Sequence, residues 1–359
     1  MKQLDLFSGI YSGKKILVTG DTGFKGSWLC IWLKELGADV YGYALAPLTD
    51  KDNFTTTKLS EKIKHVDGDI RNLAELQRYF NDVKPDIAFH LAAQPLVIES
   101  YNNPHYNFET NLMGTVNFFE AVRNCPSVKV AVNVTTDKCY QNNEWLWGYR
   151  ENDAMGGDDP YSASKGCSEL ITNSYIKSFF SKNNTANVAS ARAGNVIGGG
   201  DWADNRIIPD MMRAYEAKNV SMIRNPNSVR PWQFVLEPLF GYLKLAEKLW
   251  NEGKSFSGGW NFGPSAFESY SVGDVVKEVK KLIPTIQIDS PALTDKLHEA
   301  GLLKLDITKA VNKLDWKPKL NFEQTIQFTI DGYLQELELK NNLYNCRVKQ
   351  IEAYCLKNN

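Results

Sequence analysis

Three hundred and fifty-nine residues, 43% of them apolar or aromatic, exceed one domain of ~150 residues and suffice for about two with large buried cores, which excludes a disordered or fibrous chain. Lys and Arg number 41 against 42 Asp and Glu, so the net charge of −1 gives no electrostatic case for nucleic acid or an anionic membrane as partner.

The N-terminus has neither the apolar centre nor the cleavage pattern of a secretory signal. No run approaches the ~18 apolar residues of a membrane span. Cys30, Cys125, Cys139, Cys167, Cys346 and Cys355 show no C-x-x-C spacing, and the four histidines show no ligand spacing. Reduced thiols, a cytoplasmic location and no metal site are expected.

Residues 14–19 form a β-branched apolar run, as a strand buried on both faces requires. Helical periodicity follows over 27–36, then strands at 40–44 and 64–67, a helix at 73–80, a strand at 87–91, a helix at 107–123 and a strand at 129–134. Strands alternating with helices imply parallel strands joined by right-handed crossovers. The expected fold is α/β: a Rossmann-like doubly wound parallel sheet with a smaller C-terminal α/β lobe that binds substrate. Residues 1–197 are assigned to the dinucleotide domain with the catalytic residues, 198–335 mainly to the lobe, with segments interleaved, and 336–359 to a tail. Helices are expected near 206–217 and 237–251. The tail is either a docked helix or a loose end.

Thr19-Gly20-Asp21-Thr22-Gly23-Phe24-Lys25-Gly26 closes the first strand and opens the first helix. A tight strand-to-helix turn, a backbone close to a pyrophosphate and free N–H groups at a helix start explain glycines at this spacing. The acidic residue expected at the end of the second strand is missing, since that strand ends Tyr43-Ala44-Leu45 and Asp39 precedes it. No arginine marks a 2′-phosphate site either. The turn predicts a dinucleotide, NAD in preference to NADP, with NADP left open. Asp69-Ile70, after the third strand, is either an adenine-edge contact or a simple turn.

Tyr161-Ser162-Ala163-Ser164-Lys165 places a phenol and an ammonium on one helix face. A nearby cation lowers a phenol's pKa and so makes it a usable base. The strand at 129–134 ends in Thr135-Thr136-Asp137-Lys138, where a parallel sheet presents its active-site residues. Asp137-Lys138 is either an acid–base pair or a strand-end ion pair.

These motifs are accompanied by Asp137-Lys138-Cys139-Tyr140, Trp147-Gly148-Tyr149-Arg150-Glu151, Asp159-Pro160-Tyr161-Ser162, Gly198-Gly199-Gly200-Asp201-Trp202, Arg230-Pro231-Trp232-Gln233 and Trp260-Asn261-Phe262-Gly263-Pro264. On these residues the chain resembles the extended short-chain dehydrogenase/reductase superfamily and, within it, the CDP-glucose 4,6-dehydratases, over roughly residues 10–335. It departs from that pattern at Ile98, Asp158, Phe234 and Gly301. The resemblance implies oxidation of a nucleotide sugar at C4, loss of water across C5–C6 and hydride return to C6, in deoxysugar biosynthesis.

It also implies roles. Thr136, Asp137, Lys138, Tyr161 and Lys165 are the catalytic residues; within the pair, Asp137 is read as acid at O6 and Lys138 as base at C5, with a single proton shared between them as the alternative. Gly20, Thr22, Gly23, Phe24, Lys25, Gly26, Asp69, Ile70, Leu91, Ala92, Ala93, Asn111, Tyr161 and Lys165 hold the cofactor. Gln94, Asn195, Trp202, Arg206 and Arg230 bind the substrate, CDP-glucose. Asn111 is otherwise a helix-surface residue, and Trp202 and Trp232 either stack on the base or fill the lobe interface. A nucleotide-sugar 4-epimerase, or a 4,6-dehydratase for another nucleotide sugar, remains open. A non-catalytic dinucleotide sensor has no use for Thr136, Tyr161 and Lys165 together. Phe118, Phe119 and Val122 on one long helix, and Leu170, Ile171, Tyr175 and Ile176 on another, lie beyond a single apolar stripe. They predict a homodimer through a four-helix bundle.

Overall fold

A computed structural model describes residues 3–223, 225–265, 268–290, 302–339 and 342–357. β1 (Lys15–Thr19) leads into α1 (Phe24–Glu35); β2 (Asp39–Ala44) and β3 (Lys64–Asp67) are followed by α2 (Leu73–Val83). After β4 (Ile87–His90) the chain runs through short helical turns into α3 (Gly114–Arg123), then β5 (Val130–Val134), α4 (Pro160–Ser178) and β6 (Asn187–Arg192). Further on come α5 (Ile207–Glu216), α6 (Leu236–Glu252), β7 (Gly258–Asn261), α7 (Val272–Leu282), α8 (Phe322–Glu338) and α9 (Leu343–Cys355).

The seven strands form one sheet in the order β7-β6-β5-β4-β1-β2-β3, every neighbour parallel. Strand order reverses between β1 and β4. Ligands of open parallel sheets bind in the crevice outside the strand ends at such a point. Alternate residues of each strand serve opposite cores. Ile16 and Val18 face α1 and α6, while Leu17 faces the side where α2 and α3 pack. Val132 and Ala131 divide in the same way.

The sequence pattern gave one helix over 107–123. The structure instead has a helix at Pro104–Phe108, a π-turn at Glu109–Met113 and then α3. One extra residue in a turn leaves the hydrophobic period almost unchanged. π-turns of this kind often lie at functional sites, and this one carries Asn111.

The apolar residues behind the dimer expectation are largely used within the chain. Phe118, Phe119 and Val122 are buried beneath the sheet, and Tyr175 stacks on Phe119 at 5.3 Å. Ile171 and Ile176 pack on the same cluster, whereas Leu170 is 58% exposed and Met113 46%. The second stripe read from the sequence belongs mostly to contacts between α3 and α4.

Residues 236–261 lie with the first domain, because α6 packs in the same core as α1 and β7 extends the sheet. The lobe has its own core, built from α5, α7 and α8 around Met211, Met212, Val275, Ile326 and Tyr333. Within the tail, α9 docks on α1 and α8, burying Ile351, Tyr354 and Arg347. The Arg347 guanidinium bonds Glu336, donates to Asn53 Oδ1 at 2.9 Å and packs against Gly199, where a Cβ would lie 2.7 Å from Nη1. Gly301 lies outside the described residues.

Glu237 ties three segments together. Its Oε1 accepts from the Lys319 and Leu320 N–H groups at 2.9 and 2.8 Å, and its Oε2 from the Tyr354 hydroxyl at 2.7 Å. Burial outweighs these bonds and pushes its pKa from 4.5 up to about 7. A carboxyl raised on folding binds more protons folded than unfolded, so its contribution is full below 4.5 and is lost as pH rises through about 7. Glu237→Gln removes that slope. Measured by thermal melting, the stability of the variant relative to wild type improves between about pH 5 and 8, by on the order of 2 kcal/mol. A difference that does not change with pH overturns this reading.

Candidate active site

Gly20 ends β1 with a positive φ of 76°, and a Cβ there would lie 2.5 Å from the Ala92 nitrogen. A Cβ on Gly26 would lie 2.0 Å from the Gly20 carbonyl oxygen. These two glycines let the turn close on itself and against the end of β4. Gly23 caps α1 without any side-chain bond, and no acidic residue occupies the first turn of that helix. The first-turn N–H groups of Phe24, Lys25 and Gly26 are therefore unopposed by a side-chain cap or a negative charge, as an anion site at a helix start requires. Thr22 Oγ1 donates to the Leu45 carbonyl at 2.9 Å and fixes the turn to the end of β2.

Leu91, Ala92 and Ala93 line the opposite side of this turn. The Leu91 N–H donates to the Thr19 carbonyl at 3.0 Å. Asn111 braces them: its Oδ1 accepts from the Gln94 N–H at 2.9 Å, and its Nδ2 donates to the Gln94 carbonyl and to Ser164 Oγ. Asp69 is engaged by the Arg71 guanidinium, at 2.6 Å for Nη2, which holds its carboxyl below the ordinary range. Asn117 Nδ2 fixes the same turn through the Ile70 and Arg71 carbonyls. The glycine turn and the uncapped helix start lie at the switch point, the Asp69–Ile70 turn follows the edge strand β3 at the same end of the parallel sheet, and together they fit a dinucleotide.

Tyr161 lies in the first turn of α4, whose N-cap Asp159 accepts from the Ser162 N–H at 2.9 Å. The Tyr161 N–H donates to Ser100 Oγ at 3.2 Å. Its phenol is buried and hydrogen-bonded to Thr136, and burial pushes it up to about 12 against the pull of Thr136 and Arg206. Arg206 adds a cation near the phenol, alongside Lys165 one turn further along α4. Thr136 Oγ1 also donates to Asp137 Oδ1 at 2.8 Å and accepts from the Lys138 N–H at 3.3 Å.

Asp137 is 1% exposed, and its Oδ2 has no hydrogen-bond partner among the described residues. Gly194 makes room for it, since a Cβ there would lie 1.9 Å from Oδ2. Among the described residues no ion pair joins Asp137 to Lys138. Burial lowers Lys165 to about 8 and Lys25 to about 7, with Lys165 and Arg206 adding to the effect on Lys25. Burial also holds His90 neutral, near 3.

The assigned substrate residues scatter more. Arg206 pairs with Asp201 at 2.7 Å and faces the phenol. Asn195 sits at a left-handed φ of 45° beside Gly194. Arg230 lines a small pocket with Pro231, Pro264, Glu268 and Lys304. Gln94 folds back on itself, donating to the Leu96 carbonyl at 3.0 Å, so its amide braces its own loop. Trp202 is buried, edge-on to Tyr333, with its N–H on Glu336 at 2.8 Å. Its ring and N–H are engaged in the lobe core. Trp232 is likewise buried and donates to the Tyr270 carbonyl at 3.1 Å. Among the described residues no group of three or more His, Cys, Asp or Glu is gathered as a metal site. No described helix is long and apolar enough to cross a membrane.

Residues 17–329 match the model of the family described as GDP-mannose 4,6 dehydratase. The chain belongs to that family. A CDP-glucose 4,6-dehydratase of Salmonella typhimurium is 48% identical over 323 residues, 88% of this chain and 89% of that protein. Two solved structures share the fold. A dTDP-glucose 4,6-dehydratase from Streptomyces venezuelae with NAD and TYD bound has a TM-score of 0.77, 21% identity and coverage of 92% and 99% of the two chains. A UDP-glucose 4-epimerase from Thermotoga maritima has a TM-score of 0.75, 23% identity and coverage of 90% and 99%.

The departures from the CDP-glucose 4,6-dehydratase pattern fall in different settings. Phe234 is a core residue, edge-on to Trp28 at 6.1 Å, and does not reach the cleft. Ile98 and Asp158 are exposed. Sequence reading placed Arg206 only among the substrate residues, and it missed Gly194 as the space for Asp137, and Glu169. The last had a usable signal, because it lies one turn beyond Lys165 on the same helix face.

Proposed function

We propose that the protein is an NAD-dependent nucleotide-sugar 4,6-dehydratase that converts CDP-glucose to CDP-4-keto-6-deoxyglucose, for deoxysugar biosynthesis in the cytoplasm. The observation that carries this reading is the buried Thr136–Asp137–Tyr161 cluster, with one Asp137 oxygen left without a partner. A 4-epimerase needs only the phenol, whereas elimination across C5–C6 needs a second acid–base group on the open side of the sugar. The fold suits both activities, so the discrimination rests on this cluster and on the 48% identical relative. The six free cysteines fit a reducing compartment.

When bound, NAD supplies the hydride acceptor for C4 and the donor for C6. Gly20, Thr22, Gly23, Phe24, Lys25, Gly26, Asp69, Ile70 and Lys165 would hold it. Tyr161 accepts the O4 proton, with Thr136 and Arg206 supporting the phenolate. The 4-ketone so formed acidifies C5–H. Lys138 removes that proton and returns it to C5 as hydride enters C6, and Asp137 protonates the departing O6. Offering CDP-, dTDP-, UDP- and GDP-glucose and weighing the products tests the reading. The expected product is CDP-glucose less one water, without net consumption of NAD; a C4 epimer alone overturns it.

The exposed Met113 and Leu170 support a homodimer through α3 and α4 of each copy. Light scattering at micromolar protein is expected to give at least twice the 40.6 kDa chain mass, and a monomeric mass sinks the proposal.

A further inference from the structure

Beneath the active-site helix lies a second set of buried charges that the reaction leaves unused. Glu169 follows Lys165 by one turn of α4, so the two share a face of the helix. Strand residues hold its carboxylate from below. Oε1 accepts from Thr135 Oγ1, and Oε2 accepts from Ser190 Oγ at 2.7 Å and from Arg192 Nη2 at 2.6 Å. Arg192 is fixed in turn, with Nη1 donating to the Tyr140 hydroxyl at 2.6 Å and to the Glu151 carbonyl at 3.0 Å. Gly259 leaves space for the guanidinium, since a Cβ there would lie 2.3 Å from Nη2.

Every group around Glu169 donates to it, which keeps it ionised although it is buried; despite the burial penalty, Arg192 and these bonds hold its carboxyl below the ordinary range. The groups that face Lys165 come from several elements. Lys25 on α1 opposes its charge, and His90 on β4 is neutral. The Cys139 thiol favours its charge but is pushed far up by burial and stays protonated. Glu169 is therefore the ionised acid that supports the Lys165 ammonium.

We propose that Glu169 is a positioning residue of the active site: its carboxylate, fixed by Thr135, Ser190 and Arg192, keeps the buried Lys165 protonated at neutral pH. Arg192 keeps Glu169 charged without offering that charge to the cleft. The pair is a bias on the lysine as well as a structural contact.

The test separates those two roles. A buried pair with one partner removed destabilises a fold, whereas replacing both by neutral groups is often tolerated. The full-length chain carrying Glu169→Gln with Arg192→Met is compared with wild type and with Glu169→Asp, which retains the charge. The Lys165 side chain is titrated by carbon-13 NMR without cofactor, and NAD affinity is measured across the same pH range. Wild type is expected to titrate near 8. The double variant titrates lower by about one unit or more, the effect expected of a unit charge one helical turn away in a poorly solvated site. Glu169→Asp stays within about half a unit of wild type. NAD binding, which rests on the dinucleotide reading of the site, weakens in the double variant by about fivefold near the wild-type midpoint for a one-unit shift. A double variant that melts like wild type and leaves the Lys165 titration unmoved overturns the proposal. If that double variant does not fold, Glu169→Gln with Arg192→Gln, which is neutral at both positions and keeps side chains able to bond Ser190 and Tyr140, carries the same titration. A shifted titration with unchanged NAD affinity sustains Glu169's role and counts against Lys165 as a cofactor residue.

Discussion

Tyr161→Phe is expected to lower formation of the dehydrated sugar by on the order of 10³-fold or more, toward the upper range for a general base. The substitution is mild for the fold. The ring stays packed, Asp159 still caps α4, and the Tyr161 N–H still donates to Ser100. Thr136 keeps its bond to Asp137, so the elimination residues stay in place. What is lost is the oxygen that accepts the O4 proton. Because C5–H becomes acidic only once C4 is a ketone, solvent deuterium should also fail to enter C5. Substrate and NAD affinities, measured by calorimetry, should change by no more than a few-fold. Thr136→Val gives a graded version: it removes a bond that lowers the phenol's pKa, so the rate falls less and its rise with pH moves to higher pH. Turnover of Tyr161→Phe within tenfold of wild type would remove the phenol from the chemistry.

The sheet and its switch point were legible because they rest on local signals. The run at 14–19, the three glycines and the alternation of strands with helices each have one physical reading. Tyr161 and Lys165 were legible because a helix makes positions four apart neighbours. What sequence could not supply is proximity between distant segments. Arg206 reaches the phenol from the start of α5, and Gly194 admits Asp137 from the end of β6. Neither pairing leaves a periodic trace. The π-turn at Glu109–Met113, which brings Asn111 under Gln94, is invisible to a 3.6-residue pattern. Trp202 and Phe118 show the opposite limit. An aromatic residue at a helical or turn position looks the same in sequence whether it stacks on a base, joins a partner chain or fills a core, and here both fill cores.

Asp137 and Lys138 are expected to divide the elimination between them, and their variants to fail at different atoms. Asp137 is buried, bonded through one oxygen to Thr136 and, among the described residues, without a partner on the other, which suits an acid aimed at O6. Lys138 is part-buried in the same turn and makes no ion pair with it among the described residues, so its amine is not committed to Asp137. Lys138→Met should block removal of the C5 proton. Product should fall by about 10²–10⁴-fold, and no deuterium should enter C5. Asp137→Asn should leave C5 exchange running while water is retained, with a similar loss of product. Gly194→Ala offers the same test without altering any titratable group. Its φ does not require glycine, but the new Cβ would lie 1.9 Å from Asp137 Oδ2 and must displace the carboxylate. It should therefore reproduce the Asp137→Asn pattern, with C5 exchange retained and dehydration lost, while leaving Tyr161 and Lys165 untouched. Under a 4-epimerase reading these three variants would barely change turnover. Dehydration near the wild-type rate in Asp137→Asn and Gly194→Ala together would take the acid role away from Asp137 and leave departure of O6 to water.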